Sequence, residues 1–503
     1  MSDIVIGIDG GTTAVKAVAF DLDGQIQATH HTSVPVQYGN RGEAEQDMNL
    51  IWEAVAECLT EVRKQLPDSN VVGIGLTGQG DGAWLVDAEG KPTRPAANWL
   101  DGRASDRVNA WEADGRGRKV LDVTGTTIFG GLFPVLIEEL KQTQPQAVEN
   151  AATHLNCKDW IRFKLTGVRA TDYTEASRSF LDVRDASGFS QELARELGLE
   201  DTLRLLPPIR HADGEASPLS EEAAARTGIP AGTPVGVGMI DVAVTGMGLG
   251  AIEDNATWLI LGTTGFVGTL LPSVAERKSE LSMVLATGNG TQVLEFMAPM
   301  TGTPNLDWIR RTLGLEDEDW ASIERKAREA KPGSRGVIYL PYASPGGERA
   351  PFLDTNASAS WQGMSLTSAR EDILRSVYEG VAFSLVECVN ALQIQGDLVV
   401  SGGGFRSDLL CEILADATGK RVIRQDAPEA GARGAAVLAL VSAGRFPSIK
   451  EAANALGASM ETFEPNPDNR EVYDLTHQIF LQTRQAIQPV WKQMRELRKA
   501  VTE

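Results

Sequence analysis

Short apolar runs closed by glycine-rich turns alternate along the chain with longer segments whose apolar residues recur every three or four positions. The first run, Val5 to Ile8, ends at Asp9 and meets the turn Gly10-Gly11-Thr12-Thr13. Beyond it the chain reads VKAVAF and closes on a second turn signal, DLDG, at Asp21 to Gly24. A run so short and β-branched predicts a strand. The motif therefore reads as strand, Gly-Gly-Thr-Thr turn, strand. A helical face follows, with Ile51, Val55, Leu59, Val62 and Leu66 in line and Asp47 or Asn49 placed to cap its start. NVVGIGLTGQGDGAWLVDAEG predicts another strand, glycine-rich turn and strand. Residues 104–228 are mainly helical in pattern, and a strand from Val235 to Met239 leads to Asp241 and a helix of small residues.

The pattern then repeats. ATWLILGTTGFVGTLL, Ala256 to Leu271, is again an apolar run, a glycine-threonine turn and a second apolar run. A long helix is predicted in AREDILRSVYEGVAFSLVECVNAL, and strand, turn and helix in DLVVSGGGFRSDLLCEILADATG. Internal repetition dictates architecture. Two similar α/β halves imply a cleft, with a hinge expected near Gly246 to Gly250.

Composition narrows the class. At 503 residues the chain suits two large domains. Its 42% hydrophobic and 23% charged content is that of a globular protein. A net charge of −21 argues against a nucleic-acid or anionic-membrane surface. Cys58, Cys157, Cys388 and Cys411 show no CxxC pairing and read as reduced core residues. Five scattered histidines form no ligand motif. The N-terminus enters a strand without a basic, apolar leader, and no apolar run is long enough to span a bilayer, so a cytoplasmic protein is expected.

Candidate chemistry sits at strand ends. A P-loop or Rossmann turn opens a helix after its glycines, whereas the first turn here opens a strand. Such a hairpin can aim backbone N–H groups and two hydroxyls at a phosphate; on that segment alone an ordinary β-hairpin is the alternative. A carboxylate at Asp9, beside a phosphate turn, calls for an intervening cation such as Mg²⁺. Asp241 reads either as a helix N-cap or as a general base for a hydroxyl nucleophile. Asp81, in GQGDG, reads as a ligand or as a turn residue. The glycines of SGGGFRSD let a ligand approach the backbone next to a helix start.

In the order GIDGGTTAVKAVAFD, GMIDVAVTGMG, LGTTG, GERAPFLDTNASASWQGMSLTSAREDILRSVYEGVAFSLVE and SGGGFRSDLLCEILADATG, these segments resemble the FGGY carbohydrate kinases over nearly the whole chain. The resemblance implies a two-domain, actin-like, ribonuclease-H-type α/β fold. An N-terminal domain, residues 1–248, would take sugar or polyol, and a C-terminal domain, residues 249–503, would take ATP. Carried over by position, Asp241 matches the catalytic base and a substrate contact, and Asp9 the metal-associated acid. Thr12 and Thr13 match the first phosphate turn; Gly262, Thr263 and Thr264 match the second. Gly402, Gly403, Gly404 and Ser407 match the nucleotide residues. Gln79, Gly80, Asp81, Trp99, Asp101 and Arg103 fall at substrate contacts. Glu348 and Arg349 fall in an interdomain signature, with a surface ion pair as the alternative.

Xylulose kinases usually place methionine and histidine after the glutamine, and glycerol kinases arginine and glutamate; this chain has Gly80 and Asp81. The loop, with NCKDWIRFKLTGVRATDYTEAS, looks most like erythritol kinases, with L-xylulose-type kinases next. Trp84 and Trp99 are candidate apolar faces for a polyol, and Arg103 the compensating charge for Asp81. The resemblance implies ATP, Mg²⁺ and a small neutral polyol or ketose as ligands, no nucleic acid or membrane partner, and a homodimer as a candidate assembly. An actin-like ATPase with a chaperone or filament role, and a non-catalytic sugar sensor, are the rival functions.

Overall fold

The computed structural model describes residues 2–426 and 429–502. It is a two-domain α/β structure built on two seven-stranded sheets. The first runs in the order Ile26–Ser33, Ala14–Asp21, Asp3–Gly10 and Asn70–Gly78, then the short strands Pro234–Val235 and Ser217–Pro218. Met239–Ile240 also pairs with Asn70–Gly78. The second begins with Met283–Ala286, Val293–Met297 and Gly265–Leu271. It continues through Thr257–Leu261, Leu398–Ser401, Val422–Gln425 and Met460–Phe463.

In each half the leading strand forms an antiparallel hairpin with its successor. Asp9 then stands opposite Lys16 in one, and Leu261 opposite Gly265 in the other. The leading strand also pairs in parallel with a strand that returns after a long helix, Met48–Gln65 in the first half and Arg370–Ala391 in the second. The repeat read from the two turns is thus a repeat of topology.

Period-two burial decides what covers the first sheet. Ile4, Ile6 and Ile8 pack toward helix Met48–Gln65, which turns Ile51, Val55, Leu59 and Val62 to them and is capped by Asp47, whose carboxylate accepts the Asn49 N–H. Val5 faces the other way, onto helix Ala430–Ser442. That helix comes from the second half of the sequence and is built of small residues, AGARGAAVLALVS. It lies against bare backbone: a Cβ on Gly7 would stand 1.9 Å from the Ala432 carbonyl oxygen, and one on Gly75 1.9 Å from that of Ala435. The same helix crosses helix Asp241–Gly248, where a Cβ on Gly434 would stand 2.0 Å from the Val244 oxygen and one on Gly248 2.0 Å from the Ala430 oxygen.

Two expectations change here. The hinge glycines are used for contact: Gly246 and Gly248 lie inside a helix, Gly246 against the Trp258 ring, so the joint is a tight helix crossing. The strand expected over Val235 to Met239 is interrupted at Gly238, which takes φ +78° with the Leu76 carbonyl oxygen 1.9 Å from its Cβ position. The expected division at residue 248 coincides with the end of helix Asp241–Gly248, yet helix Ala430–Ser442 reaches back across it. Residues 104–228 are helices joined by two-residue strands. The four cysteines are free and buried. Helix Pro467–Thr502 ends the described chain, seating Tyr473, Phe480 and Trp491 in the second core. Among the described residues no helix is long and apolar enough to cross a membrane.

The contact predicts a contrast within one strand. Gly75→Ala should destabilise the protein by about 1–3 kcal/mol through overpacking. Gly73→Ala, whose Cβ would meet the Ala439 oxygen at 3.4 Å, should cost much less. Chemical denaturation of both variants measures the difference, and equal losses would contradict the assigned contact.

Candidate active site

Both strand-end acids of the first sheet lie beside the helix crossing. Asp9 borders Gly431, whose Cβ position is 3.3 Å from Asp9 Oδ2 and 3.7 Å from Thr245 Oγ1. A side chain at residue 431 would fill the space between the acid and the hydroxyl. Lys16, opposite Asp9 in the hairpin, pairs at 2.6 Å with Glu429 at the start of helix Ala430–Ser442. Asp241 is the first residue of its helix and Ile240 occupies the N-cap position, so the cap reading does not describe it. Its Oδ1 accepts the Val242 N–H at 2.7 Å. Two bonds fix the strand end before it: Ile240 N–H donates to Thr174 Oγ1 at 3.0 Å, and Thr77 Oγ1 donates to the Met239 carbonyl at 2.8 Å.

Burial shifts both carboxyls. Asp241 is pushed up to about 7, first by loss of water and then by the charges of Asp9 and Asp81, against the Val242 N–H. Asp9 is pushed up to about 6 by burial and by Glu429, against the pull of Lys16. A carboxylate that titrates near neutrality is suited to accept a proton. Among the described residues no three His, Cys, Asp or Glu side chains form a metal cage. Asp9 therefore fits a cation held by one carboxylate, water and a ligand's own oxygens, the coordination Mg²⁺ favours.

The loop after strand Asn70–Gly78 is arranged differently from expectation. Asp81, at φ 63°, makes a two-pronged pair with Arg178, Nε to Oδ1 at 2.8 Å and Nη2 to Oδ2 at 3.1 Å. Arg178 also donates to Thr126 Oγ1 at 3.0 Å and reaches Met283 of the second sheet. The charge facing Asp81 is thus Arg178, which the sequence reading missed. Arg103 is enclosed instead by Asp101 and Glu45, and Asp101 accepts in addition the Ala44 N–H at 2.9 Å. Asp101 and Arg103 are thereby bonded within the fold. Trp84 is core, and its indole N–H holds the Asp81 carbonyl at 3.0 Å.

Gly80 is fixed by crowding, since a Cβ there would fall 2.0 Å from Ile240 Cδ1. Gln79 is buried and donates to Gln46 at 2.7 Å, while its own Oε1 has no partner. Gln46 in turn donates to the Thr12 carbonyl, and Trp99 donates to Thr12 Oγ1 at 2.9 Å. Loop and first hairpin are therefore one hydrogen-bonded unit. Arg349 is half-buried, stands 6.0 Å from the Trp99 ring centre and donates to the Ala298 carbonyl. Glu348 accepts N–H bonds from Met300 and Arg349 and a bond from Thr301. Glu348 is buried, which the surface ion-pair reading does not describe.

On the second sheet, Gly262 N–H donates to the Thr264 carbonyl at 3.0 Å and the Gly262 carbonyl accepts the Thr303 N–H at 2.8 Å. Thr13 and Thr263 stand exposed at their turn tips. The three glycines after strand Leu398–Ser401 divide by role. Gly402 needs φ +99°, and a Cβ on Gly404 would fall 2.5 Å from Leu261. Gly403 alone faces open space, with no atom within 4 Å of its Cβ position and no positive φ. It lines two adjoining cavities. One of about 740 Å³ includes Thr245, Glu429 and Gly431. The other, of about 580 Å³, is bounded by Thr303, Leu306, Trp320, Tyr378 and Ser407. Ser407 caps helix Asp408–Thr418, accepting the Leu410 N–H, and donates to Glu324 at 2.7 Å.

Comparison with known proteins identifies the family. Residues 4–248 match the N-terminal domain, and 258–443 the C-terminal domain, of the FGGY family of carbohydrate kinases. The erythritol kinase of Brucella abortus (strain 2308) is 33% identical over 98% of each chain. A probable L-xylulose kinase of Pasteurella multocida (strain Pm70) is 29% identical over 96% of this chain and 98% of its own. The crystal structure of gluconate kinase from Lactobacillus acidophilus superposes with a TM-score of 0.90 at 25% identity, covering 98% of this chain and 100% of that one. The chain belongs to the FGGY family of carbohydrate kinases.

The raised carboxyl of Asp241 carries a stability signature. Its pKa is about 7 in the fold against 3.8 for an exposed aspartate. It therefore contributes stability below the exposed value, and that contribution is lost as pH rises toward 7. Asp241→Asn should melt progressively higher than wild type between about pH 4 and pH 7, with the difference levelling off above that. A difference in melting temperature that does not grow with pH would contradict the burial assigned to this group.

Proposed function

We propose that this FGGY kinase transfers the γ-phosphoryl group of ATP to a hydroxyl of a small neutral polyol or ketose. A four-carbon polyol such as erythritol ranks first and a xylulose-type pentulose second. The observation that carries the reading is the half-buried Asp241 carboxyl at the helix crossing, within reach of the charges of Asp9 and Asp81. Its pKa near neutrality suits it to take the acceptor's proton. Phosphoryl transfer asks for little more than positioning and charge neutralisation.

The remaining residues fit that division of labour. Asp9 would hold Mg²⁺ together with phosphate oxygens and water; the bound ion would neutralise phosphate charge. Thr12, Thr13, Gly262, Thr263 and Thr264 would offer hydroxyls and backbone N–H groups from two sides. The cavity bounded by Leu306, Trp320 and Tyr378 has apolar faces for a base. From there a nucleotide would pass Gly403 toward the hairpins, with Gly402, Gly404 and Ser407 shaping that turn.

The acceptor would lie against Gln79, Asp81 and Trp99, with Gly80, Asp101 and Arg103 holding the loop. Arg178 is engaged by Asp81 and Thr126, so the pair offers hydrogen-bond acceptors without a free guanidinium for a carboxylate. That favours a neutral substrate, as does the similarity to a protein named erythritol kinase. Asp241, Asp81 and Asp9 together would oppose an anionic one.

An ADP-release screen over four- to six-carbon polyols, ketoses and sugar acids tests the substrate class. A neutral four- or five-carbon acceptor should give the highest kcat/KM, and a sugar acid as best acceptor would overturn the proposal.

Two variants separate the roles. Asp241→Asn should bind both substrates and lose about 10²–10⁴-fold in kcat; a variant keeping more than half of the wild-type rate would remove Asp241 from the chemistry. Gly403→Val places its side chain in open space, so the fold should survive while KM for ATP rises far more than KM for the polyol. Equal changes in both would contradict the nucleotide path.

A further inference from the structure

The two-residue strand Met239–Ile240 is a slight support for the acid that follows it. Gly238 breaks the strand on one side, at φ +78°, and helix Asp241–Gly248 begins on the other. The peptide unit joining Met239 to Ile240 is instead clamped at both of its polar ends. Its carbonyl accepts from the Thr77 hydroxyl at 2.8 Å, and its N–H donates to the Thr174 hydroxyl oxygen at 3.0 Å. Thr77 belongs to the first sheet. Thr174 sits in a four-residue helix, Tyr173–Ala176, within TDYTEASR.

A hydroxyl carries one proton. Since the Thr174 oxygen accepts the Ile240 N–H, that proton goes to Asp172 Oδ2, 2.6 Å away. Asp172 Oδ2 also accepts the Thr174 N–H at 2.8 Å, and Asp172 Oδ1 faces the Lys158 ammonium at 2.9 Å. Asp159 shares Lys158 at 2.5 Å. The bonds therefore run in one direction, from the Ile240 N–H through hydroxyl and carboxylate to an ammonium. Thr77, Thr174, Asp172, Asp159 and Lys158 are all buried. For stability alone such a device is poor, because apolar side chains of similar volume often hold a fold as well as a buried ion pair does. What it supplies is direction: a hydroxyl whose proton is committed to a carboxylate offers the Ile240 N–H a fixed acceptor.

The same turn of chain reaches the loop of Gly80 and Asp81. Glu175 Oε2 lies 3.3 Å from the Cβ position of Gly80, and Arg178 holds Asp81. Residues 172–178 thus back two acids, Asp241 through Ile240 and Asp81 through Arg178.

We propose that Thr174 and Asp172, anchored by Lys158, are positioning residues for phosphoryl transfer. They set the direction of the Asp241 carboxyl through the peptide between Met239 and Ile240. Their role rests on that of Asp241 as the group that takes the acceptor's proton.

Thr174→Val removes the hydroxyl and keeps the outline of the side chain. A displacement of about 1 Å at a reacting group can cost about 10²-fold, so kcat should fall about 10- to 100-fold while KM for ATP and for the acceptor each stay within about 2-fold. Thr174→Ser returns the hydroxyl and should restore most of kcat. Thr174→Ala removes the hydroxyl without setting a methyl group against Ile240, and it repeats the test if the valine variant does not fold. Coupling identifies the route: in an Asp241→Asn background the loss of the Thr174 hydroxyl should cost little more, because residues that act as a unit are not additive. A serine variant as slow as the valine one, or the same loss whether or not residue 241 is aspartate, would overturn the proposal. An inactive Asp241→Asn beside a fully active Thr174→Val would overturn the positioning role alone, whereas an Asp241→Asn enzyme at the wild-type rate would overturn both it and the reading of Asp241.

Discussion

Everything in this molecule depends on how closely helix Ala430–Ser442 can approach backbone. It lies on the first sheet at Gly7 and Gly75 and crosses helix Asp241–Gly248 through Gly434 and Gly248. None of these approaches leaves room for a Cβ. The contact joins two halves that are far apart in sequence, and it does so at the ends of the strands that carry Asp9 and Asp241. The space between Asp9 and Thr245 exists because residue 431, on the same helix, is also glycine. Fold and site are thus fixed by one set of small residues.

Electrostatics follows from that packing. Two half-buried carboxyls lie in the same region, and each is raised first by its loss of water, Asp241 further by the charge of Asp9. A cation beside Asp9 and a hydroxyl beside Asp241 are the chemical partners that would relieve this, which is how the proposed kinase chemistry accounts for an otherwise costly arrangement. Around the acids the charges are closed in pairs: Lys16 with Glu429, Asp81 with Arg178, Arg103 with Asp101 and Glu45.

Much of the architecture was legible in the sequence because hairpins and amphipathic helices are local. The two glycine-threonine turns, the helix capped by Asp47 and the long helix Arg370–Ala391 all follow from neighbouring residues. Long-range partners do not. Nothing near Asp81 in the chain points to Arg178, and Arg103, two residues from Asp101, looked available until the fold closed it. The glycine triplet read as one motif, yet of the three only Gly403 has open space at its Cβ position, a distinction that depends on where Leu261 lies. The glycines of the expected hinge were visible, but their use as a helix contact required Ala430 and Gly434 from the other half.

The central claim is that a phosphoryl group passes to an acceptor hydroxyl held beside Asp241. Phosphorus NMR of a reaction containing ATP, Mg²⁺ and the best acceptor of the screen tests it most directly. The account predicts a phosphomonoester of that acceptor growing in step with ADP. Inorganic phosphate growing in its place, with the acceptor unchanged, would contradict it and make the protein an ATPase.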